Sequence, residues 1–307
     1  MSIIQDLRTA FNRRDNALIQ LLLLNGLVYV VLVVLNAVLG MSQAYGAQLL
    51  VARQLELSSD LGVLLRHPWT LLTYAITHRD FFHILFNMLN LYWFGQLIQE
   101  YLGDRRLVSL YVLGGLAGAA MFLLSYNLIP KLAEGPGATV IGASGAVTAI
   151  IVAAATLLPD YTFMLILLGP VKIKWIAAVL VLISIAGVNG GNAGGEITHL
   201  GGALLGFVFV KQLQAGRDLG MPVQAIGNWF IKLFSRRPAM QASRNDAAYR
   251  RPAPVSAGST AAGRAPAPAA PLHSQEEVDL ILDKISRSGY ESLSKEEKQK
   301  LFRASQD

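Results

Sequence analysis

One run of apolar residues near the start of the chain constrains its fold more than any other feature. Residues 17–40 contain no charged side chain, and as a helix they are long enough to cross the hydrocarbon core of a bilayer. A secretory signal is the alternative, but the run is too long for a signal's apolar region and lacks a clean cleavage site. The run therefore predicts a membrane-spanning helix.

The composition of the whole chain favours lipid as its solvent. Hydrophobic residues make up 53% of the 307 residues and charged residues 15%, against about 25% charged in a typical soluble domain. The chain has no cysteine, which excludes disulfides, a cysteine nucleophile and thiolate metal sites. The net charge of +6 comes from basic residues beside apolar segments and in the tail, so we expect no nucleic-acid partner and attribute it to membrane topology.

Five further apolar runs predict an all-α membrane protein with six transmembrane helices. The predicted spans are residues 17–40, 81–100, 107–128, 144–158, 175–186 and 197–210. Six spans place both termini on one side of the membrane. The loops on that side hold the excess of basic residues, including Arg105, Arg106, Lys172 and Lys174. The positive-inside rule therefore predicts cytoplasmic termini, and we expect a bacterial inner membrane.

The domain organisation follows from changes in composition. We expect a cytoplasmic segment (1–16), a six-helix membrane domain (17–215), an interfacial segment with a disordered linker (216–272) and a cytoplasmic helical hairpin (273–307). Capping boxes beginning at Ser274 and Ser294 predict the two hairpin helices. The hairpin is too short to hold much core alone, so we expect it to dock on a cytoplasmic partner or to stay partly folded.

Three polar motifs interrupt the apolar segments, and all three fall at the same depth. His83 with Asn87, Ser144, and His199 begin the second, fourth and sixth predicted spans. Those spans run in the same direction, so the three motifs lie near the outer face of the membrane. Because polar groups in lipid are costly unless paired or hydrated, they indicate a shared pocket that water can reach.

These residue types suit acyl-transfer chemistry. Ser144 needs a base to act as a nucleophile, and His199 is the candidate base. The backbone N–H groups at the start of the fourth helix could stabilise an oxyanion, as could His83 and Asn87, which share one helix face. We find no carboxylate at matching depth, because we expect Glu196 to face water. A Ser–His dyad therefore fits better than a triad.

Glycines surround the candidate dyad. Gly142 and Gly145 flank Ser144, whereas Gly202 and Gly206 follow His199 on the same side of the sixth helix. Small residues at these positions predict close packing of the fourth and sixth helices.

The motifs His83-x-x-x-Asn87, Gly142-x-Ser144-Gly145 and His199-x-x-Gly202-x-x-x-Gly206 resemble those of the rhomboid intramembrane serine proteases. The resemblance covers roughly residues 15–215 and implies a six-helix rhomboid bundle. It implies that Ser144 is the nucleophile, that His199 is the general base, and that His83, Asn87 and the Ser144 N–H form the oxyanion hole. It also implies transmembrane protein substrates, cut near the membrane surface without a cofactor or metal.

The chain departs from the family pattern at two places. Many rhomboids have Trp-Arg in the first loop, where this chain has Trp69-Thr70, and some have an aromatic residue at the position of Thr148. We expect this first loop, residues 41–80, to lie on the membrane surface, with His67 and His78 solvated. We also expect Asp80 to cap the second predicted helix.

Other interpretations of the motifs remain open. Ser144 alone could be a helix-packing residue, and the histidines could bond to backbone carbonyls or link helices. A metal site at His83 and His199 lacks a third ligand. The alternative functions are a non-catalytic rhomboid-like binder, which should have lost Ser144 or His199, and a small transporter, which should show an internal repeat.

Overall fold

The computed structural model describes residues 16–133, 137–165, 169–234, 280–285 and 292–304. Its contacts divide the chain into two units, residues 1–239 and 240–307. The described part of the first unit is mostly helical, as the sequence predicts. Its helices are α1 (Ala17–Met41), α2 (Tyr45–Leu55), α3 (Leu61–Arg66), α4 (Thr70–Thr73), α5 (Phe81–Leu102), α6 (Asp104–Leu128), α7 (Pro130–Ala133), α8 (Ser144–Leu157), α9 (Ile173–Gly187), α10 (Ala193–Gln214) and α11 (Met221–Phe234).

Three of the described helices are long and apolar enough to cross a membrane. They are α1, α6 and α10, and the shorter helices α8 and α9 are also apolar. Helix α5 is long but carries several amide side chains, which lower its hydropathy. The count of six spans therefore stays a prediction.

Helix α8 lies at the centre of the first unit. It packs against α5, α6, α9 and α10, and most of its residues are buried, as expected for a helix that is largely apolar. Helix α10 approaches it most closely. A Cβ atom on Gly202 would lie 2.0 Å from the Gly145 carbonyl oxygen, and one on Gly206 would lie 2.2 Å from the Ala149 carbonyl oxygen. The two backbones are therefore in direct contact, as the glycine spacing predicts.

The segment between α1 and α5 is more ordered than the sequence suggests. It contains α2, α3, α4, the strand β1 (Leu57–Ser58) and a 3₁₀ turn (Tyr74–Ile76), where we expected a long loop on the membrane surface. Strand β1 pairs antiparallel with β2 (Thr139–Val140), the segment just before Ser144. The Tyr74 hydroxyl donates a hydrogen bond to the Gly115 carbonyl of α6 at 2.5 Å. Trp69 Nε1 donates to the Gln54 carbonyl at 2.9 Å. This hydrogen bond holds the first loop in place, although no arginine follows the tryptophan.

Two other boundaries differ from the sequence prediction. The segment between α8 and α9 forms a hairpin of β3 (Thr162–Leu165) and β4 (Gly169–Lys172). Helix α10 begins at Ala193, one turn before the expected Ile197. Its first glycines are helical because Gly194 packs against Val140 and Phe122, where a Cβ atom would come within 2.9 Å and 3.1 Å.

The described part of the second unit contains a helical segment at residues 280–285 and α12 (Lys295–Ala304). The capping box predicted at Ser294 is present, because Ser294 Oγ accepts from the Glu297 N–H and Glu297 Oε2 accepts from the Ser294 N–H. Lys284 pairs with Glu297 at 2.8 Å. The capping box predicted at Ser274, and the linker before it, lie outside the described residues.

Candidate active site

The turn that precedes Ser144 is held from the first loop. Gly142 donates its N–H to the Tyr74 carbonyl at 2.8 Å, and Ala143 donates its N–H to His78 Nε2 at 3.3 Å. Gly142 adopts a φ of 119°, a conformation that residues with a Cβ atom rarely take. The turn ends at Ser144, the first residue of α8. The serine is thus placed at a helix N-terminus, where backbone N–H groups lack intrahelical partners.

His83 covers this turn from the first turn of α5. Its Cε1 and Nε2 atoms would lie 2.6 Å and 2.7 Å from a Cβ atom on Gly142, so the imidazole edge lies directly against the glycine. Asp80 caps α5 by accepting the His83 N–H at 2.9 Å, as predicted. His83 and Ser144 line one cavity of about 280 Å³, together with Thr139, Val140, Ile141, Asn192 and Gly195.

Asn87 lies on the same helix face but is engaged elsewhere. Its Nδ2 donates to the His83 carbonyl at 2.9 Å, and the residue is 7% exposed. It does not line the cavity that holds Ser144 and His83. This bond uses one of the two hydrogens on Asn87 Nδ2, so an oxyanion could accept the other.

His199 lies in the second turn of α10, close enough to His83 for their charges to interact. Its Nδ1 atom is 3.1 Å from Ser184 Oγ on α9 and 3.2 Å from Glu196 Oε2. The expectation that Glu196 faces water is wrong, because its side chain is only 18% exposed and turns back onto His199. Residues three apart on a helix share a face, which is why this contact forms.

Ser144 and His199 lie on two helices that pack together, but no hydrogen bond joins the two side chains in the described part of the chain. Thr198 packs on Gly145, where a Cβ atom would lie 2.8 Å from Thr198 Cγ2. The adjoining backbone contact at Gly202 fixes the same pair of helices. Catalytic hydrogen bonds are often long or poorly aligned before substrate binds, so this geometry is compatible with a Ser144–His199 dyad.

His78 is a site residue that the sequence analysis misplaced. We expected it to be solvated, but it is 1% exposed, and its ring packs edge-on against His83 at 5.1 Å between centroids. Burial, and to a lesser extent the neighbouring His83, lowers the pKa of His78 to about 4. A neutral ring agrees with its contact, because Nε2 must carry a lone pair to accept from the Ala143 N–H.

Sequence signals for the other supporting residues differ in strength. Glu196 lies one helical turn before His199, and this spacing could have identified it. Tyr74 and Ser184 carry no such signal, because each reaches the site through tertiary packing. The positions of Ser144, His83 and His199 follow from their motifs.

The fold and the position of these residues agree with a comparison to protein families. The model of the rhomboid domain matches residues 65–214, which include His83, Asn87, Ser144 and His199. The chain contains a rhomboid domain. Residues 271–307 match a second model, that of a family of unknown function. The rhomboid match establishes a membrane protein and leaves the roles of the site residues as predictions.

Several curated relatives match the rhomboid region. RHOMBOID-like protein 12, mitochondrial, from Arabidopsis thaliana is 33% identical over 158 residues, which are 48% of this chain and 47% of the relative. Rhomboid protein 1, mitochondrial, from Saccharomyces cerevisiae is 31% identical over 166 residues, 51% and 45% of the two chains. Presenilin-associated rhomboid-like protein A, mitochondrial, from Danio rerio is 30% identical over 139 residues, 44% and 35%.

The chain thus spans about half the length of the first two relatives. A further relative from Arabidopsis thaliana is named as chloroplastic. These relatives lie in organelles, so they do not support the bacterial inner membrane that the sequence analysis expected.

Proposed function

We propose that the chain is an intramembrane serine endopeptidase that cleaves transmembrane proteins near the outer face of its membrane. One observation carries the proposal: Ser144 opens the central helix α8 and shares a cavity with His83, beside the helix that bears His199. A hydroxyl, a base and hydrogen-bond donors are thereby gathered at one end of the helical bundle. Both termini would face the opposite side of the membrane.

In the proposed reaction the Ser144 hydroxyl attacks the scissile carbonyl carbon. Its proton passes to His199 Nε2, and the C–O bond forms as the carbonyl electrons move to oxygen. The oxyanion accepts hydrogen bonds from the Ser144 N–H and from His83, which are preorganised by the α8 terminus and by the contact with Gly142. Asn87 would join them through its second Nδ2 hydrogen, while the first stays on the His83 carbonyl.

The tetrahedral intermediate then collapses. The C–N bond breaks, and the His199 imidazolium gives its proton to the leaving amine. Water enters the cavity, loses a proton to His199 and attacks the acyl ester. The ester C–O bond then breaks, the carboxylic acid leaves, and the His199 imidazolium returns its proton to Ser144 Oγ. Each step balances without a cofactor.

Cleavage of a transmembrane substrate in liposomes tests the proposal. Wild-type protein should cleave it, and Ser144→Ala and His199→Ala should each remove the activity while remaining folded. Ser125→Ala and His67→Ala are matched controls that remove a serine and a histidine outside the cavity, and both should cleave as the wild type does. Cleavage that persists in Ser144→Ala would refute the mechanism.

A non-catalytic rhomboid-like binder is the second candidate. The absence of a Ser144–His199 hydrogen bond in the described residues favours it. Such a protein would bind a transmembrane helix equally well in its wild-type and Ser144→Ala forms and would cleave none. Reaction of Ser144 with a fluorophosphonate separates the two candidates, because only an activated serine forms the adduct.

A further inference from the structure

The base of the candidate dyad has an acidic neighbour inside the protein. Glu196 Oε2 lies 3.2 Å from His199 Nδ1, and the two side chains are 18% and 23% exposed. Ser184 Oγ, from α9, lies 3.1 Å from the same nitrogen. Two oxygen atoms therefore converge on one ring nitrogen of His199, which leaves Nε2 for the nucleophile in the mechanism proposed above.

The Glu196 side chain is held in place from its other side. A Cβ atom on Gly187, the last residue of α9, would lie 2.8 Å from Glu196 Cγ and 3.1 Å from Cδ. Any larger residue at this position would push the carboxylate away. The end of α9 thus leaves a slot that accommodates the Glu196 side chain beside His199.

We propose that Glu196 is a positioning residue that completes a Ser144–His199–Glu196 triad. The inference rests on the proposed function. The carboxylate accepts the proton of His199 Nδ1, which leaves the Nε2 lone pair free to take the Ser144 proton. It then stabilises the imidazolium that this transfer creates, without becoming protonated itself. The Ser184 hydroxyl adds a second partner for Nδ1 and fixes the plane of the ring.

The charge of Glu196 gives the proposal a readout that packing alone would not change. Glu196 and His83 are the titratable groups whose charges interact with His199 in the described part of the chain. A nearby carboxylate favours the charged imidazolium, whereas His83 opposes it. Removing the carboxylate should therefore move the acidic limb of the cleavage profile to lower pH.

The test compares Glu196→Gln with the wild type in liposomes that contain a transmembrane substrate. We expect kcat to fall by at least about 10-fold and at most about 10⁴-fold, the loss seen when a triad carboxylate is replaced by its amide. KM should change little, and the acidic limb should move to lower pH. Glu196→Asp should restore part of kcat. Glu100→Gln, which changes an exposed glutamate at the end of α5, is the matched control.

Each outcome separates this inference from the proposed function. Unchanged kcat and an unchanged acidic limb in Glu196→Gln, with cleavage lost in Ser144→Ala, would overturn the triad and leave the protease. Cleavage that survives in Ser144→Ala would overturn the protease itself. If Glu196→Gln does not fold, Gly187→Ala provides the test, because it displaces the carboxylate without removing it. Fluorophosphonate labelling of Ser144 should then slow in the folded fraction, and unchanged labelling would refute the triad.

A second, independent observation concerns helix α11, which starts at the edge of the membrane domain. Arg106 pairs with Asp218 at 3.0 Å, and Ser109 Oγ donates to the Gly220 carbonyl at 3.3 Å. Although burial opposes ionisation, the Arg106 hydrogen bond holds the pKa of Asp218 below its usual range. These contacts tie the start of α11 to the first turns of α6, beside the end of α10. Both helices are candidate spans, so α11 begins at a membrane boundary.

The two faces of α11 differ in chemistry. Gln224 and Asn228 lie four residues apart and share one face. Large apolar side chains are exposed on the opposite face: Ile226, Trp229, Phe230 and Leu233. Basic residues lie within and around the helix in sequence: Arg217, Lys232, Arg236 and Arg237. Apolar and aromatic residues on one face, with adjacent positive charge, are typical of helices that lie on an anionic leaflet.

We infer that α11 lies in the interface of an anionic lipid leaflet, with its apolar face in the acyl region. The chain has no native cysteine, so spin labels can be placed singly at Ile226→Cys, Phe230→Cys and Asn228→Cys in the full-length protein. In vesicles with phosphatidylglycerol, the labels at 226 and 230 should be accessible to oxygen and shielded from a water-soluble nickel reagent, and the label at 228 should show the reverse. Equal nickel accessibility at all three sites would overturn the inference. So would identical results in vesicles of phosphatidylcholine alone.

Discussion

The contact between α8 and α10 makes Gly202→Ala an informative perturbation. A Cβ atom at position 202 would lie 2.0 Å from the Gly145 carbonyl oxygen and 2.9 Å from its carbonyl carbon, where ordinary contact begins at 3.4 Å. The obstacle is backbone, so no side-chain rotation relieves it. The two helices must therefore separate by roughly the missing 1.4 Å.

The size of the effect follows from that displacement. Gly145 adjoins Ser144, and Gly202 lies one turn after His199, so the separation acts directly on the distance between the proposed nucleophile and base. Misplacement of reacting groups by about 1 Å can lower a rate by about 100-fold. Overpacking of this kind also lowers the free energy of unfolding by about 1–3 kcal/mol. We expect both effects in Gly202→Ala.

The assay pairs the cleavage rate in liposomes with thermal unfolding in detergent. Gly26→Ala is the matched control, because it makes the same substitution in a predicted span where no atom lies within 4 Å of the new Cβ. Gly206→Ala meets the Ala149 carbonyl at 2.2 Å, one turn farther from the site, so it should lose similar stability and less activity. A Gly202→Ala protein that cleaves within about threefold of the wild-type rate, a difference below 1 kcal/mol, would refute the argument.

Three further predictions concern the turn before Ser144. Gly142→Ala should abolish cleavage, because it strains a φ of 119° and collides with His83, whereas Gly103→Ala, with a φ of 83° and open space, should affect only the melting temperature. The pKa of His78 is about 4 in the folded protein and about 6.5 in the unfolded chain. Between about pH 4 and pH 6.5 the unfolded chain therefore binds more protons, so the free energy of unfolding falls as the pH drops through this range. His78→Gln should show a smaller fall in melting temperature from pH 7 to pH 5, and an equal fall would contradict this role. Tyr74→Phe removes the buried hydrogen bond to the Gly115 carbonyl and should lower the free energy of unfolding by about 0.5–1.5 kcal/mol, which denaturation in detergent measures.

Much of this architecture could be predicted because the relevant information is local in sequence. Apolar runs define the helices, and the spacing of Gly202 and Gly206 predicts their contact with α8. The capping residues Asp80 and Ser294 mark helix starts through hydrogen bonds to groups three residues away. Each of these inferences needs only the neighbours of a residue along one helix.

The support of the site could not be predicted, because it comes from distant segments. Tyr74 and His78 hold the turn at Gly142 and Ala143 across more than sixty residues, and no periodicity reports such pairings. The burial of the same residues also explains why the first loop is ordered. Its mixed composition alone suggests a segment that lies on the membrane surface. Glu196 was misassigned because a carboxylate near a helix start usually faces water, whereas here Gly187 leaves it a slot beside His199.

The most direct test of the account is the site of covalent modification by a fluorophosphonate. The full-length protein in liposomes would be labelled, digested and sequenced by mass spectrometry. We expect one adduct, on Ser144, that is lost in His199→Ala and retained in Ser125→Ala. Absence of the adduct on Ser144 in a protein that cleaves a transmembrane substrate, or labelling that persists in His199→Ala, would contradict a serine activated by His199.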